Sequence, residues 1–180
     1  MQRIISFGFF LTILILGSGL LAQDVKFPGI DASPADIATL RTDDGVLARV
    51  VYSRPQKKGR EIFGGIVPFD QVWRTGANEA TEITFFQDVK LGDVMVSAGT
   101  YTLFTVPGEE EWGIMLNSDL NQWGAYRADM DHTVARTSGV VTQMDQEVEA
   151  FAITFREVEG GHHMVLAWDK TMVEVPIMAQ

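Results

Sequence analysis

The chain predicts an all-β protein, an antiparallel β-sandwich or jelly roll with one long Gly/Pro-rich loop segment that carries a short helix. Three observations lead there. Short runs rich in Val, Ile, Thr, Phe and Tyr recur with turn signals roughly every 8–12 residues. Those runs do not alternate with long helical patterns, so a parallel sheet with crossover helices is excluded. The balance of 46% hydrophobic and 21% charged residues over 180 positions is that of one globular domain with a real core.

In chain order, Asp24–Ser33 reads as an extended lead-in with Pro28, Gly29 and Pro34, and Ala35–Arg41 as the first strand. Asp44-Gly45 suits a tight hairpin, and Val46–Ser53 alternates as a strand. Tyr52–Ala80 breaks the pattern with Pro55, Gly59, Gly64, Gly65, Pro68 and Gly76. Within it Pro68 is placed to start a short helix through Phe69, Val72 and Trp73, stopping near Gly76. From Thr81 the signal is β almost throughout. Strands are expected at Thr81–Gln87, on either side of Leu91-Gly92-Asp93, at Thr100–Val106, Trp112–Leu116, Val134–Gln143, Val148–Arg156, His163–Trp168 and Thr171–Ile177. Gly160-Gly161 makes a hairpin, and Pro176 marks a strand end or an edge. Phe85, Leu103, Ile114, Phe151, Ile153, Phe155, Leu166 and Val175 are the expected core, at ~2 kcal/mol of gross burial each.

The first 22 residues stand apart. Met1-Gln2-Arg3 is a short positive start and Ile4–Ala22 is almost wholly apolar, which reads as a secretory signal peptide with Gln23 as the mature N-terminus. Leu20 departs from the small residue preferred before a cleavage site, and an uncleaved anchor of about 19 residues is the alternative. No charged stop-transfer flank follows, which favours the leader. The expectation is one β domain over 23–180, exported to the periplasm or the exterior, with no stable membrane insertion after leader removal. The chain has no Cys, so there are no disulfides, no thiol nucleophile and no Cys-ligated metal.

Formal net charge is -10, and losing the leader removes only Arg3, giving -11. That disfavours nucleic acid and anionic membrane as partners. Against this background Tyr52–Ala80 is +2, with Arg54, Lys57, Lys58, Arg60 and Arg74 facing Glu61, Asp70 and Glu79. A basic strip on an acidic body focuses anions onto one place. Lys57 and Lys58 read best as a solvated loop. Arg54, Lys58, Arg60 and Arg74 are candidate anion binders because a guanidinium pairs bidentately with carboxylate or phosphate. The opposing reading pairs each Arg internally to pin a loop that lacks ladder hydrogen bonds. Trp73 can wall a ring, Asn78 can donate and accept, and Glu79 is the candidate acid or base. Trp123 and Tyr126, within Gln122–Tyr126, suit a carbohydrate wall or buried loop anchors equally.

His132, His162 and His163 have no metal-ligand spacing, and no metal or cofactor is expected. Neither a G-x-S-x-G elbow nor a phosphate-cradling Gly loop appears.

Tyr52-Ser53-Arg54-Pro55, Lys58-Gly59-Arg60, Ile62-Phe63-Gly64, Val67-Pro68 and Val72–Thr81 resemble a secreted bacterial family known as domain of unknown function 2911. The resemblance continues at Ala98–Phe104, Pro107-Gly108, Glu111-Trp112 and Gln122–Tyr126. It implies a secreted single domain and brings no established activity, substrate or catalytic residues. Three functional readings remain open. The first is a secreted module that binds a small polar or anionic ligand through Arg54–Glu79. The second is a hydrolase-like enzyme with Glu79 as acid or base and Arg60 or Arg74 stabilising an anion. The third is a structural or interaction protein with no ligand pocket.

Overall fold

The computed structural model describes residues 25–180, so the expected leader over residues 1–22 lies outside the described residues. Nine strands follow one another: β1 (Ala35–Thr42), β2 (Gly45–Ser53), β3 (Glu82–Phe85), β4 (Val89–Leu91), β5 (Val94–Val96), β6 (Gly99–Val106), β7 (Glu111–Asn117), β8 (Thr133–Val158) and β9 (Gly161–Ala179). All pair antiparallel in one sheet, in the order β1-β2-β3-β6-β7-β8-β9-β4-β5. Period-2 patterning explains the strands. On β9, Val173, Val175 and Ile177 are buried while the residues between them are not.

Two of the expected breaks are not breaks. Val134–Gln143 and Val148–Arg156 are parts of the single strand β8, and His163–Trp168 and Thr171–Ile177 are parts of β9. The polar residues between Gln143 and Val148 look like a turn in sequence. In the fold, register shifts from Gln143 to Val148 and from Val148 to Ala152 place extra β8 residues opposite β9. Such bulges bend a strand without ending it. Pro176 likewise does not end β9. It lies just past the last β4 pair, Leu91↔Ile177, where no ladder N–H is needed, and its carbonyl accepts from Gly92 N at 2.8 Å.

The bend carries the far half of the β8–β9 ribbon back to the chain leaving β2. Phe151 N donates to Pro55 O at 2.9 Å, and Gln56 pairs with Ala150 in an isolated bridge. Tyr52 Oη donates to Ile153 O at 3.2 Å and accepts from Ile153 N at 3.0 Å. One sheet folded on itself thus encloses the main core, with a smaller cluster of Ala80, Phe104 and Met115 apart from it, which is the sandwich arrangement the alternation predicts. Seven of the eight expected core residues are buried there, and Phe155 packs against them half-buried.

No helix forms between Pro68 and Gly76. The backbone there is committed to β6 instead. Trp73 N donates to Thr105 O at 2.7 Å, Thr105 N donates to Trp73 O at 3.0 Å, and Asp70 N donates to Pro107 O at 2.9 Å. Asp70 and Thr75 also sit at φ 58° and 56°, left-handed values that no α-helix contains. Long-range hydrogen bonds override the local start signal at Pro68.

The closure at Tyr52 is testable. Tyr52→Phe leaves the buried Ile153 N–H and C=O without their side-chain partner, and is expected to lower stability by about 1–3 kcal/mol. Urea unfolding reads this; an unchanged midpoint would mean that the ribbon closes without it.

Candidate functional site

The segment between β2 and β3 is built by the sheet around it rather than by its own propensities. Its first part is pinned to the folded-back ribbon. Arg54 Nε donates to Phe151 O at 3.0 Å and its Nη1 meets Asp36 Oδ2 at 3.1 Å. Lys57 Nζ lies 2.7 Å from both Glu147 Oε2 and Asp169 Oδ1, at the bulged bend of β8 and β9. Hydrogen bonding to Asp169, and then to Glu147, raises the Lys57 pKa above its ordinary value. Lys57 is therefore not the solvated loop residue that its sequence neighbourhood suggests, because the acids that hold it are about 90 and 112 positions away. Lys58 is exposed, and what it contributes is its backbone N, which donates to Glu149 Oε1 at 2.8 Å.

The second part, Trp73–Thr81, is a tight loop. Thr81 N donates to Arg74 O at 3.0 Å, and Thr81 Oγ1 to Thr75 O at 2.6 Å. Thr75 Oγ1 bonds Thr105 Oγ1 at 3.1 Å, which ties the loop to β6. Asn78, at φ 58°, uses its side-chain amide to donate to Asp31 Oδ1 at 3.1 Å. Bonds from Ser33 N and then from Asn78 hold the Asp31 carboxyl below its ordinary pKa. A short ladder joins this loop to the next: Ala80 N donates to Gln122 O at 2.8 Å and Gly124 N to Asn78 O at 3.2 Å. That ladder brings Tyr126 alongside.

Between these parts lies a hollow of about 560 Å³. Of the residues the sequence singles out, Arg60, Trp73, Arg74, Asn78 and Tyr126 line it. Arg54, Lys58, Glu79 and Trp123 do not. Arg54 is held by Asp36 and Phe151 O, Lys58 points into solvent, and Trp123 is 65% exposed outside the hollow. Glu79 is exposed and lines a separate hollow of about 200 Å³ with Tyr52, Ser53, Glu82 and Asn121.

The floor is aromatic. Trp73, 9% exposed, stacks on Trp168 with centroids 6.0 Å apart and planes 14° apart. Phe151 meets Trp73 edge-on at 5.1 Å, and Phe63 and Trp112 complete the cluster. A smaller hollow of about 170 Å³ touches the same cluster at Phe63 and Trp112, whose indole Nε1 is buried without a hydrogen-bond partner among the described residues.

The walls carry the chemistry. Arg74 Nε is buried with no hydrogen-bond partner, and no carboxylate pairs with Arg74 among the described residues. Arg60 gives Nε to Lys57 O at 2.9 Å and Nη2 to Gln56 O, so its geometry is fixed while no carboxylate among the described residues pairs with its charge. Among the described residues no Asp or Glu lines this hollow, on a chain with 24 acids. Ser33, Gln71 and Trp168 also line it and were not singled out by the sequence. Trp168 reads locally as one more strand residue, and only the folded-back ribbon brings it to Trp73. Among the described residues there is no group of three or more His, Cys, Asp or Glu arranged to hold a metal, and no helix long and apolar enough to cross a membrane.

A family model described as "Protein of unknown function (DUF2911)" matches residues 33–177, a span that includes every residue lining the hollow. No curated protein and no solved structure matches this chain.

The loop that carries Tyr126 has a titratable fastening. His132 Nδ1 lies 2.8 Å from Asp119 Oδ2, and Asp119 O accepts from Thr102 Oγ1 at 2.6 Å. The Asp119 hydrogen bond, then its charge and that of Asp129, raise the His132 pKa above the usual ~6.5. The raised value means the pair stabilises the fold fully below the unfolded pKa and loses that contribution as pH rises through the folded one. In Asp119→Asn the His132 ring should titrate at a lower pH than in the wild type, read by NMR of the imidazole protons; an unchanged titration would sink the pairing.

Proposed function

This chain belongs to the DUF2911 family of proteins of unknown function, and we propose that it is an exported binding module that takes a small ligand bearing an anionic group into the hollow beside Arg74. The observation that carries this reading is the Arg74 guanidinium, which lines the hollow with no carboxylate partner and with its buried Nε unbonded among the described residues. A donor left in that state costs about 1–3 kcal/mol, more for a charged group. An anionic oxygen in the hollow would pair with the outer Nη atoms of that guanidinium, which make no hydrogen bond among the described residues either. Among the described residues no acid lines the hollow, on a body of charge -10, which supports the same reading; Asp31, the acid beside it, has its carboxylate already held by Ser33 N and Asn78. A volume of about 560 Å³ is ordinary for a small-molecule site.

No specific observation favours the hydrolase-like reading. It needs Glu79 and the Arg pair around one substrate, and Glu79 lines a different hollow from Arg60 and Arg74. The structural reading suits Arg54 and Lys57, which are paired to the ribbon, but leaves Arg74 unexplained.

Two outcomes are expected. In a calorimetric screen of carboxylates and phosphates, Arg74→Ala should weaken any binder by roughly 10- to 100-fold, equivalent to the ~1.5–3 kcal/mol of a charged hydrogen bond. Retained affinity in a folded Arg74→Ala protein would remove the binding role. For export, intact-mass measurement of the secreted protein should give a chain starting at Gln23, and a mass that includes residues 1–22 would refute leader cleavage.

A further inference from the structure

Building on the anion-binding reading, we infer that the ligand is a sugar acid: a hydroxyl-rich ring carrying a single carboxylate. Two features of the hollow set the charge. Arg74 is the only one of the two lining cations whose side chain makes no hydrogen bond within the described residues, whereas Arg60 has Nε and Nη2 already committed to Lys57 O and Gln56 O. One open fork matches one carboxylate, which it can bind through two parallel N–H···O bonds. A phosphate dianion calls for a second open fork or a cradle of backbone N–H groups, and it meets stronger repulsion from a body of charge -10.

The rest of the lining sets the body of the ligand. Gln71 and Ser33 present amide and hydroxyl groups that donate and accept, the pairing that sugar hydroxyls require, and Asn78, whose amide already donates to Asp31 Oδ1, has its carbonyl oxygen and second N–H left for a ligand. An aliphatic or aromatic acid would displace water from those groups and return no hydrogen bond. Aromatic rings line the hollow as well. Trp73 forms part of the floor, and Tyr126 is 83% exposed at the rim. The Trp73 ring is already stacked on Trp168, so it is the exposed Tyr126 ring whose face, with its negative potential, suits the weakly positive C–H face of a pyranose. The Tyr126 ring is seated by Gly124, which at φ +72° has no side chain; a Cβ there would lie 2.8 Å from that ring. At about 560 Å³ the hollow has room for more than one sugar ring, so a unit of an acidic saccharide chain fits as well as a free monosaccharide.

The test uses the mature chain and calorimetry with five probes: D-glucuronate, D-galacturonate, D-glucose, cyclohexanecarboxylate and inorganic phosphate. At least one uronate should bind tenfold or more tightly than glucose, cyclohexanecarboxylate and phosphate. Arg74→Ala should bring that uronate down to the level of glucose. Tyr126→Ala, an exposed change that leaves folding intact by circular dichroism, should weaken the uronate several-fold without restoring parity with cyclohexanecarboxylate. If cyclohexanecarboxylate or phosphate equals or exceeds both uronates and still depends on Arg74, the sugar-acid inference is wrong and the anion-binding reading stands. If glucose equals the uronates, or no probe binds, both are wrong.

Discussion

The structure depends on one closure, the return of the bent β8–β9 ribbon onto the chain that leaves β2. A sheet of nine strands with both edges open would expose one whole face. Bulges beyond Gln143 let β8 turn without ending, and the turned half is then fixed by Tyr52 on Ile153, Arg54 on Phe151 O and Lys57 between Glu147 and Asp169. These contacts do more than stabilise. They bring Trp168 onto Trp73 and so create the floor of the hollow.

The closure also sorts the cations. Arg54 and Lys57 lie where the ribbon lands, find acids or carbonyls there, and become fastenings. Arg60 folds back on carbonyls of its own loop. Arg74 leaves the ribbon behind because Trp73 is paired to β6, and it ends against the hollow with its Nε unpaired. A run of like charges in the sequence thus divides into structural and unpartnered members according to what lies opposite each. Surface pairs of this kind contribute little stability individually. Their effect here is positional, since they decide which cation faces the hollow without a carboxylate.

Much of this was open to reading from the residues. The period-2 runs give most strands within a residue or two, and Tyr52–Ala80 stands out by its charge and its glycines as the place where a site would sit. Misreadings fall where local and long-range signals compete. Pro68 looks like a helix start, but Trp73 and Asp70 bond to β6 and its flank. The polar residues between Gln143 and Val148 look like a loop, but bulges keep them in β8. Glu79 stands one residue from Asn78, yet the bridge to Trp123 turns it toward another hollow.

What the sequence determined by itself is the β class, the alternating core and the position of the basic segment, because each follows from spacing over a few residues. Only the tertiary structure decided which Arg lacks a partner among the described residues, which aromatic rings stack and which acids hold the fastenings. Those outcomes depend on partners about 90 or more positions distant, such as Glu147 and Asp169 for Lys57 and Phe151 for Arg54. No local pattern encodes the bend that brings them together.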